Sequence, residues 1–161
     1  MAVTGYWYPV GGMAKMGSAL GKFDWVADSA SIKIALMNTN FTGASQSLSL
    51  ASSWSDVSAY EIATFTGYTG VASNAGKTLG TTAVAAYSTS NKTVKFSGAT
   101  STVWTTATLT TRGAVVTKQV SATKSDCPVI FFLDFGADQA PSAGDFTITW
   151  HTDGMATITT A

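Results

Sequence analysis

The run 146-FTITWHTDGMATITT-160 alternates large and hydroxyl-bearing side chains with a period of two. Phe146, Ile148 and Trp150 fall on one face, and Thr147, Thr149 and His151 on the other, which is the pattern of a half-buried β-strand. Asp153-Gly154 supplies the positive φ that a tight hairpin turn requires. Met155–Thr160 then returns with Ile158 flanked by Thr. The stretch predicts a C-terminal antiparallel hairpin with Phe146, Ile148 and Trp150 directed at the core.

Working back along the chain, the same signals recur at short intervals. Val129–Asp134 and Ala114–Val120 read as strands separated by Lys124, Ser125 and Asp126, with Pro128 at a strand entry where a missing donor is tolerated. Thr78–Tyr87 and Thr93–Phe96 are strand-like, and Ser88–Lys92 between them is turn material. Ser31–Met37 (SIKIALM) is short and apolar, a buried strand. Asn38–Trp54 reads as a long loop, and Val57–Ile62 as a single helical turn or a bridge to Thr64–Tyr68. No helical period is sustained for twelve residues and no repeat of fixed length is found. The expected fold is all-β: an antiparallel β-sandwich (jelly-roll-like) or barrel, with an N-terminal arm and long loops. Residues 1–22 form the arm and 23–161 a single β domain. The expected core is Trp25, Ile34, Leu36, Trp104, Ile130, Phe132, Phe146, Ile148 and Trp150.

Composition narrows the function. The 161 residues contain nine Lys and Arg against nine Asp and Glu, only 11% charged residues together. Binding nucleic acid through its backbone needs clustered cations to displace counterions, so no nucleic-acid partner is expected. No stretch reaches the ~18 apolar residues of a membrane helix, and no membrane partner is expected. Met1–Gly12 has neither a basic start nor a long apolar run, so folding in a cytoplasm is expected, with Cys127 a thiol. In place of charge stand 26 Thr and 18 Ser, with 18 aromatic residues. Such a chain covers its outer faces with hydroxyls and has little net charge to oppose self-association.

Residues that carry chemistry are sparse. His151 is the only histidine and Cys127 the only cysteine, which excludes an intrachain disulfide and most zinc sites. By alternation His151 faces solvent or an interface, and Cys127 before Pro128 is a small, partly buried thiol. Gly12–Ser18 lacks the Lys that a phosphate loop places directly after its second Gly. Asp134 and Asp138 flank Phe135-Gly136-Ala137, a turn in which Asp caps backbone donors. No catalytic residue, metal site or cofactor is expected. The aromatics outside the strand pattern, Tyr6, Trp7, Tyr8, Phe41 and Trp54, are expected at an interface. For the arm, a neighbouring chain and its own domain are both open as the covering surface.

Four groups of residues carry a family resemblance. Asp24-Trp25 with Asp28 precedes Ile32-Lys33-Ile34-Ala35-Leu36. Asp56-Val57-Ser58-Ala59 is followed by Glu61-Ile62 and Gly67-Tyr68-Thr69-Gly70. Val103-Trp104 and Ala107-Thr108 lead to Arg112, Ala114-Val115-Val116 and Lys118. Asp134-Phe135-Gly136-Ala137-Asp138 and Asp145-Phe146-Thr147-Ile148 close the series. In order and spacing, residues 23–160 resemble small β-rich virion structural proteins of tailed bacteriophages. Tyr60 departs from that pattern, and residues up to 22 lie outside it.

The resemblance implies a non-enzymatic virion protein present in many copies. The leading reading is a capsid decoration (cement) protein made in the host cytoplasm. Its implied partners are the major capsid protein and further copies of itself, a trimer by analogy. The alternative is a receptor- or glycan-binding β domain of a tail or head fibre, using the Asn38–Trp54 loop with Phe41, Gln46 and Trp54. A third reading, an enzyme, rests only on His151 and scattered Asp.

Overall fold

Every residue of the run Ile32–Met37 (β2) is buried, on both faces of the strand. This central position organises the molecule. The computed structural model describes residues 4–7, 24–41, 51–71, 76–80, 83–88, 93–97, 101–151 and 156–159. Around β2 these include β1 (Thr4–Trp7), the four-residue helix α1 (Trp54–Val57), β3 (Lys77–Thr78), β4 (Ala83–Ser88) and β5 (Thr93–Ser97). They continue with β6 (Ser101–Ala107), β7 (Thr111–Lys118), β8 (Val129–Gln139), β9 (Gly144–Thr149) and β10 (Ala156–Thr159). The fold is all-β. Its strands form a five-stranded sheet β1-β8-β7-β2-β3, a three-stranded sheet β10-β5-β4 and a pair β6-β9. Among the described residues every strand pairing is antiparallel. Among the described residues no sheet closes into a barrel.

The five-stranded sheet is a middle layer. On one face Ile32, Ile34 and Leu36 join Ala114 and Val116 of β7 and Leu133 and Phe135 of β8. Trp104 and Ala107 of β6, Ile148 of β9 and Phe96 of β5 cover them, with Trp25, Ile62, Tyr68 and Leu79. On the other face Ala35 and Met37 join Val115, Val129 and Phe132. Trp54 and Val57 of α1 cover these, with Phe41, Ala51, Val71 and Cys127. A strand apolar on both sides loses the alternation of a half-buried one, which is why SIKIALM reads as a nearly continuous run.

Two local devices fit β7 against β8. Val116 faces Phe131 and Thr117 faces Val129, so Ile130 is an extra, bulged residue. The bulge lets Ile130 and its neighbour Phe131 enter the same cluster. Gly113 is required by close approach: a Cβ there would lie 2.5 Å from the Leu133 carbonyl oxygen.

Several expectations need correction. The C-terminal strands do not form a hairpin, since β9 pairs with β6 and β10 with β5. Cross-strand contacts explain the choice for β9. Trp104 lies opposite Phe146 with ring centroids 5.7 Å apart, and the Trp150 indole N–H donates to Thr102 Oγ1 at 3.2 Å. The single strand expected at Thr78–Tyr87 is instead two short elements, β3 and β4. The helical turn begins earlier than Val57, at Trp54, and passes into a 3-10 turn at Ser58–Tyr60. Of the two surfaces left open for the N-terminal segment, its own domain takes Thr4–Trp7, which pair as β1 with β8 of the main sheet.

Substituting Gly113 with Ala should therefore cost about 2–4 kcal/mol, because the methyl meets backbone that cannot move aside. Gly144→Ala, where the nearest atom is Ser142 O at 3.9 Å, should stay within about 1 kcal/mol. Denaturant titration of the two variants tests the difference, and equal costs would contradict the close approach.

Candidate functional site

Glu61, the single glutamate of the chain, is held beside the end of β2 by the backbone around it. Asn38 N–H donates to Tyr60 O at 2.7 Å, and Ile62 N–H to Leu36 O at 3.0 Å. A turn at Phe65–Tyr68, with Gly67 at φ 80°, brings the chain back over β6. A Cβ at Gly67 would lie 2.5 Å from Thr105 O, so backbone packs on backbone there. The turn delivers Tyr68 into the core, where its hydroxyl accepts from Leu36 N–H at 3.0 Å and donates to Glu61 Oε1 at 2.8 Å. Val71 N–H donates to the same oxygen at 2.7 Å. Burial pushes the Glu61 carboxyl above its ordinary value, and the Val71 and Tyr68 hydrogen bonds oppose this only in part. Burial, together with the adjacent carboxylate, pushes the Tyr68 phenol up and keeps it protonated.

Outside this network lies a groove of about 610 Å³. Ile62, Phe65, Leu109 and Pro141 give it apolar walls, and Asn38, Thr39, Thr108, Thr110 and Ser142 give it polar side chains. Glu61 is its only titratable lining residue. Phe65 is 48% exposed, one of the few large apolar side chains on the described surface. Sequence reasoning did not single out this surface. Its signal was the lone Glu61 followed by Tyr68 between two glycines.

Five aspartates serve the backbone, while Asp126 accepts from Ser121 Oγ and Asp138 lies 3.7 Å from Arg112. Asp24 Oδ1 accepts from the N–H groups of Val26 and Ala27, and Asp28 Oδ2 accepts from Asp24 N–H and from Lys118 Nζ at 2.7 Å. Asp56 Oδ2 accepts from Ser52 and Ser53 N–H at the start of α1. Partial burial raises its pKa, but these hydrogen bonds outweigh that and hold it below the usual value. Asp134 Oδ1 accepts from Gly136 N–H at 2.8 Å, with Arg112 at 3.7 Å, but the turn expected at Asp134–Asp138 is instead part of strand β8. Asp145 Oδ1 accepts from Thr106 N–H at 3.3 Å.

The interface candidates divide. Phe41 and Trp54 are 2% and 1% exposed, so the expectation that they face a partner is corrected: both lie in the second cluster of the chain's own core. Phe41 stacks edge-on against Phe132, with centroids 5.6 Å apart. Trp54 is drawn under the sheet because its backbone N–H donates to Cys127 O at 2.7 Å, at the entry to β8. Tyr6 and Trp7 stand in β1 opposite Phe132 and Phe131, and Tyr8 lies outside the described residues. Of the expected core, Trp25, Ile34, Leu36, Trp104, Ile130 and Ile148 are buried in the first cluster and Phe132 in the second. Phe146 and Trp150 are partly buried against the first. His151 is exposed, and Cys127 is buried with its Sγ near Ser121 O and Thr123 O.

Comparison with protein-family models, curated proteins and solved structures found no match to this chain.

The raised pKa of Glu61 fixes a sign. The folded state holds this proton more tightly than the unfolded chain, so the residue favours folding below its ordinary value of 4.5. That contribution is lost as pH rises through the raised value. In Glu61→Gln the component should vanish, giving a flatter stability–pH curve above pH 4.5. An unchanged curve from denaturant titrations across pH would contradict it. Tyr68→Phe leaves the Leu36 N–H without its acceptor and should cost about 1–3 kcal/mol, rising with pH as the ionised Glu61 also misses the hydroxyl donor.

Proposed function

We propose that this protein is a non-enzymatic structural protein of a bacteriophage virion, a capsid decoration (cement) protein that binds and stabilises the lattice of the major capsid protein. The observation that carries the proposal is where the residues of the resemblance stand. Asp24, Asp28, Asp56, Glu61, Asp134 and Asp145 all accept hydrogen bonds from backbone N–H groups. Trp25, Ile34, Leu36, Tyr68, Trp104, Val116 and Phe135 are core. The shared pattern thus specifies a scaffold, and contact with partners falls to the surface. A groove of apolar walls and hydroxyls suits extended contact with a protein surface better than acid–base work. The fibre reading needed Phe41 and Trp54 as an exposed platform, and both are buried.

Mixing the full chain with phage heads that lack it, then sedimenting the heads, tests the proposal. Saturable retention at hundreds of copies per head is expected, with heads that resist heat or low salt better than bare ones. No retention, or retention of no more than a few tens of copies per head, would refute a decoration role.

A further inference from the structure

An edge strand offers unpaired N–H and C=O groups to any chain that approaches, and proteins blunt such edges with short strands, bulges, lysine or proline. Most edges of this fold are blunted. β1 and β10 have four residues each. β3 has two, one of them Lys77. β4 carries a register shift between Ala85 and Ser88. β6 is bulged between Trp104 and Ala107 and lies against the Gly67 turn.

β9 is different. Its six residues, Gly144–Thr149, contain no Lys and no Pro, and the extra residue of the β6–β9 bulge lies on β6. Among the described residues β9 pairs with β6 alone, leaving its other edge open. Thr147 and Thr149 are exposed, while Phe146, on the opposite face, is only partly buried.

We infer that the open edge of β9 pairs with the β9 of a second copy, antiparallel about a twofold axis at Thr147. The sequence is self-complementary in this register. Phe146 faces the partner copy's Ile148, so apolar side chains meet on the core side, and Thr147 faces Thr147 on the outer side. Asp145 falls opposite Thr149, so no like charges oppose each other. The two β6-β9 pairs become one four-stranded sheet, a self-complementary interface of the kind twofold dimers use. A two-stranded ribbon gains support from such an extension. The balance of nine cationic and nine anionic side chains adds no net repulsion between copies. The inference goes beyond the virion role and stands or falls separately from it.

Two measurements on the full chain test it. Sedimentation over a wide range of concentration should show a dimer, and Thr147→Lys, which sets two ammonium groups face to face at the axis, should weaken it about fivefold or more. Thr147 is exposed, so folding should be unaffected, as circular dichroism would show. In Thr147→Cys, a short bismaleimide should link two copies rapidly, whereas Thr105→Cys, exposed on β6 and one strand further from the axis, should link poorly. A monomer at every concentration, a trimer indifferent to Thr147→Lys, or equal linking at the two cysteines would overturn the inference.

Discussion

Burial of the five-stranded sheet on both faces is the constraint on which the rest of the fold depends. A sheet with one wet face can hold its register by alternation alone, whereas β2, β7 and β8 must find apolar or satisfied partners on each side. Aliphatic side chains fill most of those positions on β2 and the centre of β7, at Ala114, Val115 and Val116. On β8 three aromatics, Phe131, Phe132 and Phe135, reach outward to the covering layers, with Leu133 packed beside them in the first cluster. Two layers then become obligatory. The β6-β9 pair with Trp104 and Ile148 closes one side, and α1 with Trp54 and Phe41 closes the other.

Most polar groups trapped by this arrangement are satisfied locally by hydroxyls and backbone, the indole N–H groups of Trp54 and Trp104 and Arg112 Nε being left without a hydrogen-bond partner among the described residues. Thr111 Oγ1 donates to Met37 O at 2.8 Å, and Thr117 Oγ1 to Pro128 O at 2.9 Å. Thr102 accepts the Trp150 indole N–H, and the Tyr68 hydroxyl caps the Leu36 N–H. A hydroxyl satisfies a buried backbone group at a smaller desolvation cost than a charge does. Of the charges, Lys33 and Lys118 are buried, Lys118 paired with Asp28, and Glu61 is half-buried where several hydrogen bonds converge. The carboxylate ties the end of β2 to the Tyr68 turn and to Val71, and its perturbed titration follows from that position.

The strands that carry a simple pattern were legible in the sequence, and those that do not were missed for physical reasons. β2, β7 and β8 announce themselves as apolar runs, and β9 by its alternation. β6 hides because it buries Thr102 beside Trp104 while leaving Val103 only partly covered, which inverts the usual apolar-in, polar-out order. The partner of β9 was also illegible, because Asp153-Gly154 is a local turn signal whereas the Trp104–Phe146 and Thr102–Trp150 contacts are non-local. Phe41 and Trp54 sit among Ser, Thr and Asn and looked like exposed loop aromatics. The tie from Trp54 N–H to Cys127 O and the edge-on contact of Phe41 with Phe132, both non-local, place them beneath the sheet.

Amide hydrogen exchange, resolved by residue, tests the doubly covered sheet most directly. The account predicts that amides of β2, β7 and Val129–Asp134 in β8 that are hydrogen-bonded within the sheet exchange only through global unfolding, with the same free energy as denaturant titration gives. Amides of the β6-β9 pair and of β4 and β5 should open at lower free energy. If β2 exchanged as readily as β4 and β5, the sheet would not be the protected middle layer and the account would fail.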